Sequence, residues 1–408
     1  MPIQKANMRS HVMRSHAAQI GLRAAVLAAL LALLVAAAAI GAGCGSKASA
    51  QQADVRAALK AASAALASQD AVAWFLALPS AEKPTQSASY QTYAGLARFT
   101  WASVTAKAVP VGGVPGRYRV RFYGRLKGSD TSPLVCERIL EFAWPQGRLT
   151  VVADRTEEWL RDAHYTAFTD PVVMVRPHLV VVGDRWQKRL MSLIAACDKE
   201  APRVARRLRL GPTTPAAARK TLVYVCADRE QAWDASASRP HKGMLAGAVD
   251  GQIYAIGDHF DYWQDYSPDI VRHELAHLYA DKFGDGRHLV GLLAEGLAVA
   301  VEGNYDFSDL RAEVASGNRV LPLKKGIMQG DLWHGLSNRQ VDLAYLEGGG
   351  LVRYLWRRWG LKTTWAFADA VAASDLKPAG IERATRQSLG VTWSELYAGW
   401  KRFVRTLP

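Results

Sequence analysis

His273 and His277 stand four residues apart, with Glu274 directly after the first, in the run His273-Glu274-Leu275-Ala276-His277. On an α-helix, residues at i and i+4 lie one above the other on the same face, so the two imidazoles can grip one metal ion. Glu274, about 100° further round the helix, then points beside the ion, where a base acting on water is needed. This is the arrangement of a metal-dependent hydrolase. A surface helix that happens to carry two histidines would show the same five residues, and the choice falls to what lies downstream.

For these residues to act, a helix must hold them. Ser267 is a good N-cap, Pro268 suits a first helical position and Gly284 offers a C-terminal stop, which predicts a helix over 268–283. A third ligand is then sought close by. The run over 289–301 is apolar and helical in pattern, with one charged residue, Glu295. A carboxylate in such a setting is expensive to bury and should be paired or metal-bound. Gly296 costs about 1 kcal/mol relative to alanine in a helix interior, which predicts close approach to another helix. The 17 residues between His277 and Glu295 allow two helices to converge on a His/His/Glu site with a fourth position left open. Glu302, seven residues after Glu295, could orient a ligand histidine, but is read first as a solvent-facing helix end. His288 falls near the face of Glu295, and His241, His259 and His334 are read as surface loop residues.

His-Glu-Leu-Ala-His followed by Leu-Leu-Ala-Glu-Gly-Leu-Ala resembles the gluzincin metallopeptidases, and within them the bacterial peptidase MA-like family. The resemblance covers residues about 165–408. It implies zinc as the cofactor, bound by His273, His277 and Glu295, and a peptide or protein as substrate. It makes Glu274 the general base for the attacking water. Tyr345, in Ala-Tyr-Leu-Glu-Gly ahead of Gly348-Gly349-Gly350, matches the family's oxyanion-binding tyrosine. As a reading of residues alone, Tyr345 is equally a buried aromatic at a helix start.

The elements upstream supply placement. Residues 1–23 carry only positive charge, residues 24–43 form an uncharged run rich in Ala, Leu and Val, and Gly41-Ala42-Gly43-Cys44 ends it. That end resembles a bacterial lipobox, which would make Cys44 the lipidated first residue of the mature chain; a run of 20 is also long enough to cross a bilayer uncleaved. Both readings place the protein in the cell envelope, held to the bacterial membrane by lipid or by an N-terminal helix and lying outside the cytoplasm. Net charge is +14, and Lys5, Arg9, Arg14 and Arg23 of it sit in the leader. The remainder suits anionic envelope material, and no nucleic-acid-binding motif accompanies it.

The expected division is a leader at 1–43, a tether at 44–53, an α+β domain at 54–160 and the metallopeptidase domain at 165–408. The first domain reads as a helix with Val55, Leu59 and Leu66 on one stripe, then strands over 117–123, 135–142 and 148–152. It vaguely resembles the NTF2-like fold. In the second, strands are expected at 178–182 and 221–226, and a long helix over 185–210 broken before Pro202. A hairpin over 243–256 turns at Asp250-Gly251. Arg203, Arg206, Arg207 and Arg209 are read as a solvated face. Cys197 and Cys226 either bridge or, with Cys136, are buried thiols. The fold class is therefore α+β: a small helix-and-sheet domain before a thermolysin-like mixed α/β domain. Rival readings keep the zinc and change the task, to a non-catalytic zinc-stabilised envelope scaffold or to hydrolysis of another envelope amide. The intact Glu274 speaks against the scaffold.

Overall fold

The computed structural model describes residues 49–68, 95–112, 114–130, 134–154, 167–211, 219–236, 244–249, 251–281, 291–317, 336–374 and 376–407. The leader, Cys44, Gly284, His241, His288 and His334 lie outside them. The fold is α+β. A helix over residues 49–67 (α1) precedes a four-stranded antiparallel meander: β1 (Trp101–Pro110), β2 (Arg117–Leu126), β3 (Leu134–Ala143) and β4 (Thr150–Asp154). The strand β1 was not foreseen. Its sequence WASVTAKAVP alternates weakly, and only the partner β2, with Val120, Phe122 and Leu126 inward, defines which face is buried.

The second sheet holds β5 (Pro171–Val175), β6 (Leu179–Asp184), β7 (Thr221–Cys226), β8 (Ala246–Val249) and β9 (Gln252–Ile256), in the order β5-β6-β7-β9-β8. The strands β6, β7 and β9 run parallel, and the hairpin β8–β9 turns at Gly251, whose φ of +79° needs a residue without a Cβ. Every residue of β6, β7 and β9 is buried, because both faces of this sheet are covered.

What covers them differs. Val180, Val182, Leu222, Tyr224, Cys226, Tyr254 and Ile256 face a core shared with α1, Phe168 and the meander. Leu179, Val181, Val223, Val225, Ile253 and Ala255 face a second core built chiefly by four helices, with Val352 of a later helix joining it. The four are α2 (Lys188–Ala196), α3 (Glu200–Arg207), α5 (Phe260–Asp281) and α6 (Gly291–Glu302). The short helix α4 (Arg229–Ser236) follows β7, and α7 (Ser308–Ser316), α8 (Asn338–Ala372), α9 (Pro378–Leu389) and α10 (Trp393–Val404) complete a helical third core. Cys197 and Cys226 fall in the two cores on opposite faces of the sheet, so they do not bridge; both are free, as is Cys136, and all three are buried.

The 185–210 helix is broken before Pro202, as expected: the break lies at Cys197–Lys199, and Pro202 sits in the first turn of α3, where a missing N–H costs nothing. One expectation is corrected here. The site helix α5 begins at Phe260, eight residues before the expected start, and carries Pro268 inside it. Trp263 explains the extension: its ring is fully buried and its Nε1–H donates to the Ile256 carbonyl at 2.7 Å. Burying an indole outweighs the hydrogen bond that Pro268 removes. Ser267 is therefore no cap; it is buried and bonded to the Cys197 thiol. By contrast Thr392 and Glu395 form the capping box that opens α10, with Glu395 N–H donating to Thr392 Oγ1 at 3.1 Å. Among the described residues no helix is long and apolar enough to cross a membrane.

Candidate metal centre

The site is made where α5, α6 and α8 meet. His273 and His277 project from one face of α5, with ring centroids 4.9 Å apart. Glu295 comes from the first turns of α6. His273 Nε2 lies 3.2 Å and His277 Nε2 3.4 Å from the same oxygen, Glu295 Oε2. One ligand atom from each residue lies within 4.8 Å of the others. Zinc bonds of about 2.0–2.1 Å at tetrahedral angles put ligand atoms about 3.3 Å apart, so the two nitrogens and the carboxylate fit that ion.

The approach of α6 to α8 depends on glycine. A Cβ on Gly296 would collide with the backbone of Gly348, and one on Gly348 would meet the Leu292 carbonyl at 2.7 Å. This crossing sets Glu295, one residue before Gly296, and Tyr345, three before Gly348, on either side of it. The Tyr345 ring stands edge-on to His273 with centroids 5.8 Å apart. Burial, reinforced by the nearby Glu295, Tyr305, Glu274 and Glu302, pushes the Tyr345 hydroxyl well above the usual tyrosine range, so it keeps its proton.

Glu302 takes the second of its two expected roles, beside a ligand histidine rather than facing solvent. It turns inward, and its Oε2 lies 3.2 Å from His273 Nδ1. With Nδ1–H donating to that carboxylate, Nε2 carries the lone pair that a metal needs. Tyr305, which sequence reading missed, hydrogen-bonds to Glu302 in turn. It lies three residues beyond the end of α6, where no helical period marks it. Around this point α6 ends on two arginines: Arg272 donates to the Glu302 carbonyl and Arg207 to the Val301 carbonyl. Cations satisfy the free carbonyls of a helix C-terminus. Arg207 stays exposed with Arg203, Arg206 and Arg209, as expected of that face, while its guanidinium reaches back to the helix end. Arg272 is itself held by the fully buried Glu200, Nε to Oε2 at 3.0 Å, and by Asp269.

The charges are strongly coupled. Burial pulls the His273 imidazole down, but hydrogen bonds to Glu295 and Glu302 outweigh it and hold it at about 10 when a proton fills the site. His277 is raised as well, its burial outweighed chiefly by Glu295. Glu295 resists burial through the two imidazoles and stays well below the usual carboxylate range. Glu274 is 6% exposed. Burial raises its pKa, the histidines opposing and Glu295 and Glu302 reinforcing the shift. It is thus a base of more than ordinary carboxylate strength beside the ligand cluster.

No family model matches the chain, and no curated protein matches it. Among solved structures it is similar to the crystal structure of M1 zinc metallopeptidase from Deinococcus radiodurans, with 13% identity and a TM-score of 0.29. That similarity covers 76% of this chain and 63% of the other, so the chain spans less than two thirds of that protein's length. At that level the chemistry rests on the His/His/Glu geometry and on Glu274.

Proposed function

We propose that this protein is a zinc-dependent hydrolase of peptide bonds with Glu274 as general base. One observation carries the reading: Nε2 of His273, Nε2 of His277 and an oxygen of Glu295 converge at metal-ligand spacing, with the buried Glu274 beside them. When bound, zinc supplies a Lewis acid and acidifies water at its open position. His273, His277 and Glu295 would hold it, and Glu302 fixes the tautomer of His273. Glu274 takes the proton from the attacking water and passes it to the leaving amine. The protonated Tyr345 hydroxyl donates a hydrogen bond to the oxyanion as the carbonyl becomes tetrahedral. Among the described strands β8 is the edge of its sheet, and it packs against α5, so its outer edge suits an extended peptide by strand addition.

The envelope location belongs to the same proposal. It rests on the basic residues 1–23, the apolar 24–43 and Cys44. Mass spectrometry of the native N-terminus tests it: a chain beginning at a lipid-modified Cys44 supports the lipoprotein, and an unmodified chain starting earlier rules lipidation out. The reaction is tested by zinc content and by peptide-library cleavage. The parent should bind about one zinc per chain and cleave, while Glu274→Gln should bind zinc and lose cleavage about 10²–10⁴-fold.

A further inference from the structure

The face of α5 that bears the histidines continues beyond them. Positions 262, 266, 269, 273 and 277 are spaced by three or four residues and so share one stripe. His273 and His277 are its inner end, with side chains 12% and 19% exposed. Its outer end is Tyr262 and Tyr266, 55% and 51% exposed, with ring centroids 6.1 Å apart. Single exposed aromatics are ordinary; two in contact, collinear with a buried ligand cluster, form a surface. Beside them Asp258, Asp261 and Asp265 are exposed, a local reversal of sign on a chain of net charge +14. Arg189 lies against the neighbouring Phe260 and Gln264 instead, its guanidinium 4.6 Å from the Phe260 ring centre.

We propose that Tyr262 and Tyr266 are an outer binding shelf for the substrate, which takes the flanking part of an extended polypeptide and favours aromatic and cationic side chains there. The proposal rests on the reading of the site as a peptide-bond hydrolase. Tyr266 is seven residues and Tyr262 eleven from His273, about 10 and 16 Å along the helix. An extended peptide advances about 3.3 Å per residue, so the shelf meets residues about three and five positions from the scissile bond. The tyrosine faces stack on aromatic or cationic side chains, and the aspartates select the cations. An anionic membrane surface is disfavoured by the same aspartates.

The test uses the full zinc-loaded chain and two peptide substrates: one long, with Lys and Tyr three to five residues from the cleaved bond, and one of four residues. Tyr262→Ala with Tyr266→Ala should raise KM for the long peptide about tenfold with kcat within twofold, and reduce the preference for long over short to match. Phe at both positions should restore most of it. Asp261→Asn with Asp265→Asn should remove the preference for Lys and its sensitivity to salt. An equal loss on both peptides, or no loss on the long one, overturns the shelf and leaves the hydrolase standing. If no peptide is cleaved, the hydrolase reading fails and fluorescence anisotropy of the labelled long peptide on Glu274→Gln decides the shelf. About tenfold weaker binding on adding the Tyr→Ala pair supports it, and absent or unaltered binding overturns it. Vesicles of anionic phospholipid that bind through these tyrosines, with no effect on peptide, also overturn it.

Discussion

The Nδ1 of His273 has a carboxylate to donate to, and this fixes what the residue can offer on its other side. Carboxylate partners of ligand histidines set the tautomer and raise basicity, and their loss weakens metal binding about 10–100-fold. Glu302→Gln should therefore weaken zinc by about that factor in chelator competition while leaving the chain folded. Tyr305→Phe should weaken it less, because it removes one hydrogen bond to Glu302. The raised histidines also give the pH dependence. A proton and a metal compete for the lone pairs of His273 and His277, so zinc affinity should climb steadily from pH 6.5 towards 9, with proton uptake by the chain when a chelator strips the ion. In the zinc-stripped protein His273 and Glu295 make stability depend on pH in opposite directions. The raised pKa of His273 contributes stabilisation that is complete below 6.5 and lost as pH rises through about 10. The depressed Glu295 contributes stabilisation present above about 4.5 and lost as pH falls towards its folded value. Thermal melts of the stripped chain across pH check both limbs.

At the scale of elements, the site is a product of three helices brought closer than side chains ordinarily permit. Gly296→Ala places a methyl group against the Gly348 backbone, which cannot move aside without shifting α8. The expected outcome is destabilisation of about 1–3 kcal/mol, seen in the melting temperature, together with weaker zinc binding because Glu295 is the adjacent residue. Trp263→Ala should cost about 3–5 kcal/mol by undoing the first turns of α5. These elements were unequally legible. Glu295 stood out as one charge in an apolar run, and Gly296 announced a close helix by costing stability where alanine would not. Glu302 was legible only as one of two readings and Tyr305 not at all, since a carboxylate at a helix end is ordinary in sequence and only the packing of α5 beside it supplies the partner. The start of α5 was misplaced because Ser267-Pro268 is a sound local start signal, overridden by the burial of Trp263. The break at Cys197–Lys199 was announced by Pro202, which a helix accepts in its first turn but not in its interior.

Across the whole molecule, the mixed five-stranded sheet links the two halves. One face carries the site helices, and the other shares its core with α1 and the meander. Removing residues 1–154 would strip the cover from Val180, Val182, Tyr224 and Tyr254. The remainder should be poorly soluble or bind ANS strongly; a soluble, zinc-binding fragment with a sharp melt would show that the meander is dispensable. The alternation along β6, β7 and β9 could not be read beforehand, because a strand buried on both faces has no polar side to reveal its period. The α+β class was legible, and so was the hairpin β8–β9 from its Asp250-Gly251 signal.

The most direct measurement pairs zinc content with turnover in the parent and in Glu274→Gln. About one zinc per chain is expected in both proteins, and peptide cleavage in the parent alone. Stoichiometric zinc with equal cleavage in the two proteins, or a parent that binds well under one zinc per chain, would contradict the zinc-hydrolase reading.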